Sequence, residues 1–269
     1  MFDAHLARWD LIPDGDPIAT HSSDLLPVRR SGLPAMLKVA REDEECWGWL
    51  ALDYWDGDGA ARVLAREGNA LLLERAMGPL SLSRMVYDGR DDEASRILCA
   101  VAAKLHAPRP RARPAALIPL EEWFAPLPPI ARAQGGVLAA AAATAHRLLA
   151  DPRDVVVLHG DLHHDNVLDA EGRGWIAVDP KRLLGERGFD FANLLRNPDV
   201  EPALAPGRLE RQLDVVAAAA QMDRARLLQW VLAFTGLSAA WYIVDGDTST
   251  FDLAVAERAL AELARTGVG

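Results

Sequence analysis

Hydrophobic positions along the chain fall into two regimes. In the first 80 residues they alternate or run in short blocks of strand length. Residues 17–30 (PIATHSSDLLPVRR) and 32–40 (GLPAMLKVA) read as adjacent strands, with Ser31-Gly32 as the turn between them. Residues 42–54 follow as a predicted helix, acidic in its first turn and stopped by Asp56-Gly57. Residues 61–78 (ARVLAREGNALLLERAMG) predict a hairpin turning at Glu67-Gly68-Asn69. Its second arm, 70–73, is continuously apolar, which predicts burial on both faces.

From Asp91 onward the period becomes helical. Ile97, Leu98, Val101 and Leu105 give residues 93–106 one apolar face, and a Pro- and Arg-rich stretch (APRPRARP) follows. Residues 130–150 predict an Ala-rich helix. Residues 154–168 and 174–179 predict two short adjacent strands around a polar loop, and 209–220, 227–244 and 251–264 read as helices. No internal repeat is present. The shift near Gly78-Pro79 predicts an α+β chain of two lobes. A small β-rich lobe would span 1–77 with a hinge at 73–78, a larger helical lobe 79–269, and a crevice would lie between them.

The 269 residues are 50% hydrophobic and 25% charged, globular values that exclude wholesale disorder. The net charge of −10 disfavours nucleic acid, whose phosphates need a basic surface, and favours a cationic ligand. The cations are lopsided: 26 Arg and three Lys (Lys38, Lys104, Lys181), so each Lys marks a place where Arg would not serve equally. Cys46 and Cys99 have no C-x-x-C spacing, which fits a reducing compartment. The N-terminus is acidic and mixed, unlike a signal peptide. The longest apolar stretch, 230–244, is short for a bilayer and interrupted by Thr235, Gly236 and Ser238. A cytoplasmic protein, monomeric or weakly dimeric, is expected, without membrane or nucleic-acid partners.

The most informative segment is VVVLHGDLHHDNVLD, residues 155–169. An apolar strand runs into His159-Gly160-Asp161, and Asn166 lies five residues beyond Asp161. Asp179 ends the next apolar strand. Asn166 and Asp179 can be hard oxygen ligands for Mg²⁺, leaving Asp161 to accept a proton. That set matches the phosphoryl-transfer template. The template also demands a strand Lys held by a helix Glu. Lys38 lies inside an apolar strand, and Glu42, Glu44 and Glu45 follow it. Glu45 is favoured because Leu52, seven residues on, shares its face; Glu44 stays open.

The segment resembles the H-x-D-x-x-x-x-N catalytic loop of protein kinases, and Gly160 resembles their small-molecule branch, the aminoglycoside phosphotransferases. Lys38, Trp55-Asp56-Gly57, LLLERA, Pro119-Leu120 with Trp123-Phe124, HGDLHHDN, Asp179-Pro180-Lys181, Gly185-Glu186 with Gly188-Phe189-Asp190, and Asn197-Pro198 occur in order. This set looks like the streptomycin 6-phosphotransferase/hydroxyurea phosphotransferase branch. The resemblance implies a protein-kinase-like two-lobe fold and transfer of the ATP γ-phosphate to a hydroxyl of a small cation, streptomycin above all. It implies Asp161 as base, Asn166 and Asp179 as Mg²⁺ ligands, Lys38 on phosphate, and backbone groups of Glu74 to Ala76 on adenine. Asp190 resembles the aspartate that buttresses the catalytic loop, and Lys181 would touch a phosphate or the substrate.

The expected nucleotide loop, Thr20-His21-Ser22-Ser23, has no glycine, so Ser22 and Ser23 hydroxyls or N–H groups would cover the phosphates, and GTP stays an alternative to ATP. Bland readings stand beside these. His159 and Asp190 are structural supports before they are ligands, and Lys104 is a helix-surface charge. His163, His164 and Asp165 are too close in sequence to make a zinc site alone. Glu122, Asp199 and Trp241 are candidates to line the substrate cleft. Two alternatives keep part of this reading: a kinase of hydroxyurea or another small alcohol, and a non-catalytic nucleotide-binding protein.

Overall fold

Residues 2–248 and 250–267 are described in the computed structural model of the chain. Helix α1 (Asp3–Trp9) precedes strands β1 (Leu11–Pro13), β2 (Ile18–Ala19), β3 (Ser23–Arg30) and β4 (Leu33–Ala40). A 3₁₀ turn (Glu44–Trp47) and α2 (Trp49–Trp55) lead to β5 (Val63–Glu67) and β6 (Ala70–Glu74). These strands form one antiparallel sheet in the order β1-β3-β4-β6-β5, with β2 against β3. Ser31 and Gly32 take left-handed angles (φ 50° and 81°), the geometry a two-residue hairpin turn requires. β4 lies between β3 and β6, so Lys38, opposite Leu25 and Leu71, stands in the interior of the sheet.

The larger lobe begins with α3 (Leu82–Tyr87) and α4 (Asp91–His106), then β7 (Ile118–Pro119), α5 (Leu120–Trp123), α6 (Leu127–Gln134) and α7 (Gly136–Ala150). Strands β8 (Val155–Leu158), β9 (Val167–Asp169), β10 (Trp175–Ala177) and β11 (Leu183–Glu186) carry the catalytic-loop segment. Helices α8 (Gly188–Leu195), α9 (Val200–Ala203), α10 (Arg208–Ala220), α11 (Arg224–Val244) and α12 (Thr250–Thr266) complete the chain.

Two apolar cores correspond to the two regimes of the sequence. Leu26, Val28, Leu37, Val39 and Leu72 fill the sheet's core, covered by Leu6 and Trp9 of α1. The second core runs through the helices around Trp55, Leu98, Phe189, Phe191 and Trp230. The 70–73 arm is buried throughout, as its unbroken apolar run predicts. By length and composition α11 could cross a membrane, but 72% of its most apolar window is buried against the rest of this fold. Thr235 does not interrupt it, because its hydroxyl donates back to Val231 O (2.8 Å).

Four expectations are corrected. The single strand predicted over 17–30 is two, with β2 folded back antiparallel on the start of β3. The helix predicted over 42–54 is a 3₁₀ turn followed by α2, divided at Gly48. A Cβ on Gly48 would stand 2.6 Å from the carbonyl oxygen of Pro180, so the chain is bare there to admit that turn. The helix predicted over 130–150 is two helices, because Gly135 at φ 67° ends the first. The two strands around the catalytic loop are not neighbours: β8 pairs with β11, while β10 pairs with β9.

α4 and α10 are joined by a buried pair in which Arg208 donates to both Asp91 oxygens (2.8 and 2.9 Å). The same guanidinium donates to the Leu195 and Asn197 carbonyls that follow α8. Removing one partner of such a pair strands the other charge. Asp91→Ala should therefore cost about 3–5 kcal/mol in urea unfolding; a loss near zero would contradict the role given to this pair.

Candidate active site

Asp190, near the start of α8, is almost fully buried and accepts three hydrogen bonds. They come from the backbone N–H of His159 (2.9 Å) and Gly160 (2.7 Å) and from His106 Nε2 (2.8 Å). Burial alone would raise its carboxyl pKa, but these donors overcome it and hold the group below the ordinary range. His159 is fully buried, hydrogen-bonds the Val178 carbonyl through Nε2 (2.9 Å), accepts from the Asp161 N–H at Nδ1 (3.3 Å) and stacks on Trp55. Both residues hold the backbone of the loop through these bonds.

The braced loop presents Asp161. Its Oδ1 accepts from Asn193 Nδ2 (2.9 Å) and its Oδ2 from Asn166 Nδ2 (3.2 Å), yet the side chain stays 40% exposed. Asn166 also donates to the Asp161 carbonyl (2.9 Å), so its amide N–H₂ is occupied and its side-chain oxygen is left for a cation. The Asn166 carbonyl accepts from Val178 N–H (2.9 Å), which fastens Asn166 beside the strand that ends at Asp179. Asp161 and Asn166 are thus joined directly, and Asn166 is tied to the residue before Asp179 by a loop-to-strand bond and not by strand pairing.

Lys38 enters from the sheet. Its ammonium donates to Glu45 Oε2 (2.6 Å) and to Asp179 Oδ1. Of the three acidic candidates, Glu45 is the one joined to it. Lys181 donates to the other Glu45 oxygen, so one buried carboxylate holds two ammonium groups from different lobes. Burial would raise the Glu45 pKa, but the two cations reverse this and hold it at about 2. Burial likewise works to lower Lys181, and Glu45 outweighs it in the raised direction.

Gly160 has a physical reason. At φ 81° it lies in the left-handed region, and a Cβ there would stand 2.8 Å from both Lys181 Cβ and Leu183 Cδ1. The Lys181 N–H donates to the His159 carbonyl (2.7 Å), so residue 181 packs directly on the catalytic turn.

Other expected residues are placed less centrally. The Glu74 N–H is used by the Arg62 carbonyl (2.9 Å) and its carboxylate accepts from Arg173, whereas Ala76, past the end of β6, has no hydrogen bond on either backbone group among the described residues. Ser23 is a correction: its hydroxyl is buried without a partner and its N–H bonds Thr20 Oγ1 (3.0 Å), so it shapes the loop instead of facing phosphates. Ser22 is half-buried, and Arg41, unremarked in the sequence, holds the loop by donating to the Thr20 and His21 carbonyls. Trp241 meets Trp123 edge-on (5.4 Å) and Glu122 is exposed beside that pair. Among the described residues no hydrogen bond joins Glu122 or Trp241 to the Asp161 cluster.

Asp199 caps α9 and accepts from Tyr87 OH (3.2 Å). Partial burial and the carboxylates of Asp199, Glu201 and Asp165 raise the Tyr87 hydroxyl. Asp165 accepts from Ser83. An acidic rim thus continues from the catalytic loop to α3 and α9, and only Asp199 of it was anticipated. Asn193 was also missed, although it follows Asp190 by three residues and so shares its helix face.

A model of the aminoglycoside/hydroxyurea antibiotic resistance kinase family matches residues 8–246. The chain belongs to that family. It is 53% identical to a streptomycin 3''-kinase of Klebsiella pneumoniae over 93% of this chain and 97% of that one. It is 32% identical to a streptomycin 6-kinase of Streptomyces griseus over 95% of this chain and 85% of that one. Among solved structures, a thermostable mutant of the aminoglycoside phosphotransferase APH(4)-Ia, in ternary complex with ADP and hygromycin B, superposes with a TM-score of 0.66 at 16% identity. That match covers 99% of this chain and 98% of that one. The fold is protein-kinase-like and the chain is a phosphotransferase of the antibiotic-resistance kinases.

The Glu45 clamp carries a pH prediction. Its carboxyl is held at about 2 in the fold against an ordinary 4.5, so its stabilisation is complete above pH 4.5 and fades as pH falls toward 2. Glu45→Gln should destabilise the protein at pH 7 by about 3 kcal/mol. The gap between variant and parent should narrow below pH 4.5; an unchanging gap in urea unfolding would contradict the clamp.

Proposed function

We propose that this chain transfers the γ-phosphate of ATP to a hydroxyl of streptomycin, with Mg²⁺, in the cytoplasm. The observation that carries the chemistry is a chain of contacts: two amides, Asn166 and Asn193, fix a partly exposed Asp161, the Val178 N–H ties Asn166 beside Asp179, and Lys38 donates to Asp179. In this reading residues 1–77 and 79–269 are the two lobes, and adenine docks on the 73–78 hinge, where Ala76 keeps its backbone groups free. Lys38 contacts the nucleotide phosphates, Ser22 lies on the nucleotide loop, and Asp161 orients the acceptor hydroxyl and takes its proton.

The donor set fits magnesium. Asn166 has an uncommitted side-chain oxygen and Asp179 is partly exposed, two hard ligands of the number Mg²⁺ takes when phosphates and waters complete its shell. Among the described residues no cluster of three or more His, Cys, Asp or Glu offers a closed cage, which also suits a metal that arrives with its nucleotide. Bound there, magnesium would neutralise charge on the phosphate oxygens. Placement and charge complementarity are then the protein's contribution to rate.

Streptomycin as acceptor is supported by the 53% identity to a streptomycin 3''-kinase, and the 3'' hydroxyl is favoured over position 6 by the same comparison. The rim of Asp165, Asp199 and Glu201 around Tyr87 suits a polycation. The test is incubation with ATP, Mg²⁺ and a panel of streptomycin, hygromycin B and hydroxyurea, with the product mapped by phosphorus–proton NMR. Phosphate on the 3'' oxygen of streptomycin is expected. Asp161→Asn should lower kcat by at least about 10³-fold while leaving ATP affinity within about threefold, since the base acts on the acceptor and not on the nucleotide. Undiminished turnover in the variant would overturn the assignment.

A further inference from the structure

Two of the three lysines in the chain meet at Glu45, and they do not have the same work left to do. Among the described residues the Lys38 ammonium donates to Glu45 and Asp179, which leaves one N–H direction, and Lys181 donates to Glu45 alone, which leaves two. The Lys181 side chain is about one-fifth exposed, so it is open to a ligand and not sealed in the core. Its main chain is fastened to the catalytic turn: the N–H bonds the His159 carbonyl and the Cβ fills the space that Gly160 leaves bare. Lys38 is rooted in the sheet of the other lobe, whereas Lys181 packs on Gly160, the residue before Asp161. A compact ammonium fits between a carboxylate and a phosphate where a planar guanidinium would need more room, in a chain that otherwise uses Arg.

We propose that Lys181 is a catalytic residue that donates to the γ-phosphoryl group during transfer, while Lys38 serves the phosphates nearer the sheet. The proposal rests on the kinase reading given above. In the step, the acceptor oxygen bonds to Pγ as the bond from Pγ to the bridging oxygen of ADP breaks, and that electron pair leaves with ADP. The acceptor proton passes to Asp161. Lys181 stays protonated throughout and counters the charge on the γ oxygens. Glu45 holds Lys181 at the correct height without neutralising it alone, because the same carboxylate also serves Lys38.

The test compares Lys181→Met with the parent protein. ADP affinity, read by calorimetry, should stay within twofold, while a non-hydrolysable ATP analogue should bind about tenfold more weakly. The kcat for streptomycin should fall about 10²–10³-fold, as for loss of one oriented donor to a developing charge, with KM for streptomycin within threefold. Lys38→Met should instead weaken ADP and the analogue alike. If Lys181→Met does not fold, Lys181→Gln, which keeps N–H donors without the charge, should show the same separation of ADP from the analogue. Equal weakening of both nucleotides, or a kcat within threefold of the parent, would overturn the proposal. A parent protein that phosphorylates no aminoglycoside overturns the acceptor assignment, and the two nucleotide affinities still decide Lys181 without any acceptor present.

Discussion

One buried carboxylate, Glu45, accepts from an ammonium of the sheet and an ammonium of the helical lobe, and the geometry of the crevice depends on that shared charge. An isolated buried ion is costly, and a single pair often only breaks even against apolar packing. Here the arrangement has a second consequence. Lys38 also reaches Asp179, so the clamp sets where the sheet stands relative to the catalytic loop. Glu45 is accordingly held far below its ordinary pKa even though burial pulls the other way.

Asp190 performs the matching task on the far side of the loop. Three N–H donors converge on it, two of them from the backbone of the His159-Gly160 turn, so the loop cannot shift without leaving a buried carboxylate unpaired. Between the two carboxylates lies the Gly160–Lys181 contact, which requires a residue without a side chain at 160 and positive backbone angles there. Asp161 is thereby carried on a rigid base while its own side chain stays open to solvent. Asn193, one helical turn after Asp190, lets a single helix brace the loop and orient the Asp161 carboxylate.

Much of this was legible in the amino-acid order, and the gaps have physical causes. The Ser31-Gly32 hairpin, the buried arm at 70–73 and the long helices follow from local period and turn chemistry, which are short-range properties. Lys38, Asp161, Asn166 and Asp179 stood out because their residue types and spacing match a known chemical demand. The helix over 42–54 divides at Gly48, where the Pro180 carbonyl, more than a hundred residues away, leaves no room for a side chain. The pairing of β8 with β11 and not β10 is equally non-local. Arg41, Tyr87 and Asp165 have no periodic signature, since polar residues of their kind are usually solvated and only the fold gathers them; Asn193 differs, because its spacing of three from Asp190 puts both on one helix face. Ser23 illustrates the converse, a plausible hydroxyl that the sheet buries.

The shared carboxylate is tested most directly by a double-mutant cycle on stability, using Lys38→Met, Lys181→Met and the two combined. With either lysine present Glu45 keeps a partner; with neither, it is a buried charge alone. The combined variant should therefore lose more than the sum of the single losses, by at least about 1 kcal/mol in urea unfolding at pH 7. Additivity within about 0.5 kcal/mol would mean that the two ammonium groups do not depend on one carboxylate, and the account of how the lobes are held together would be wrong.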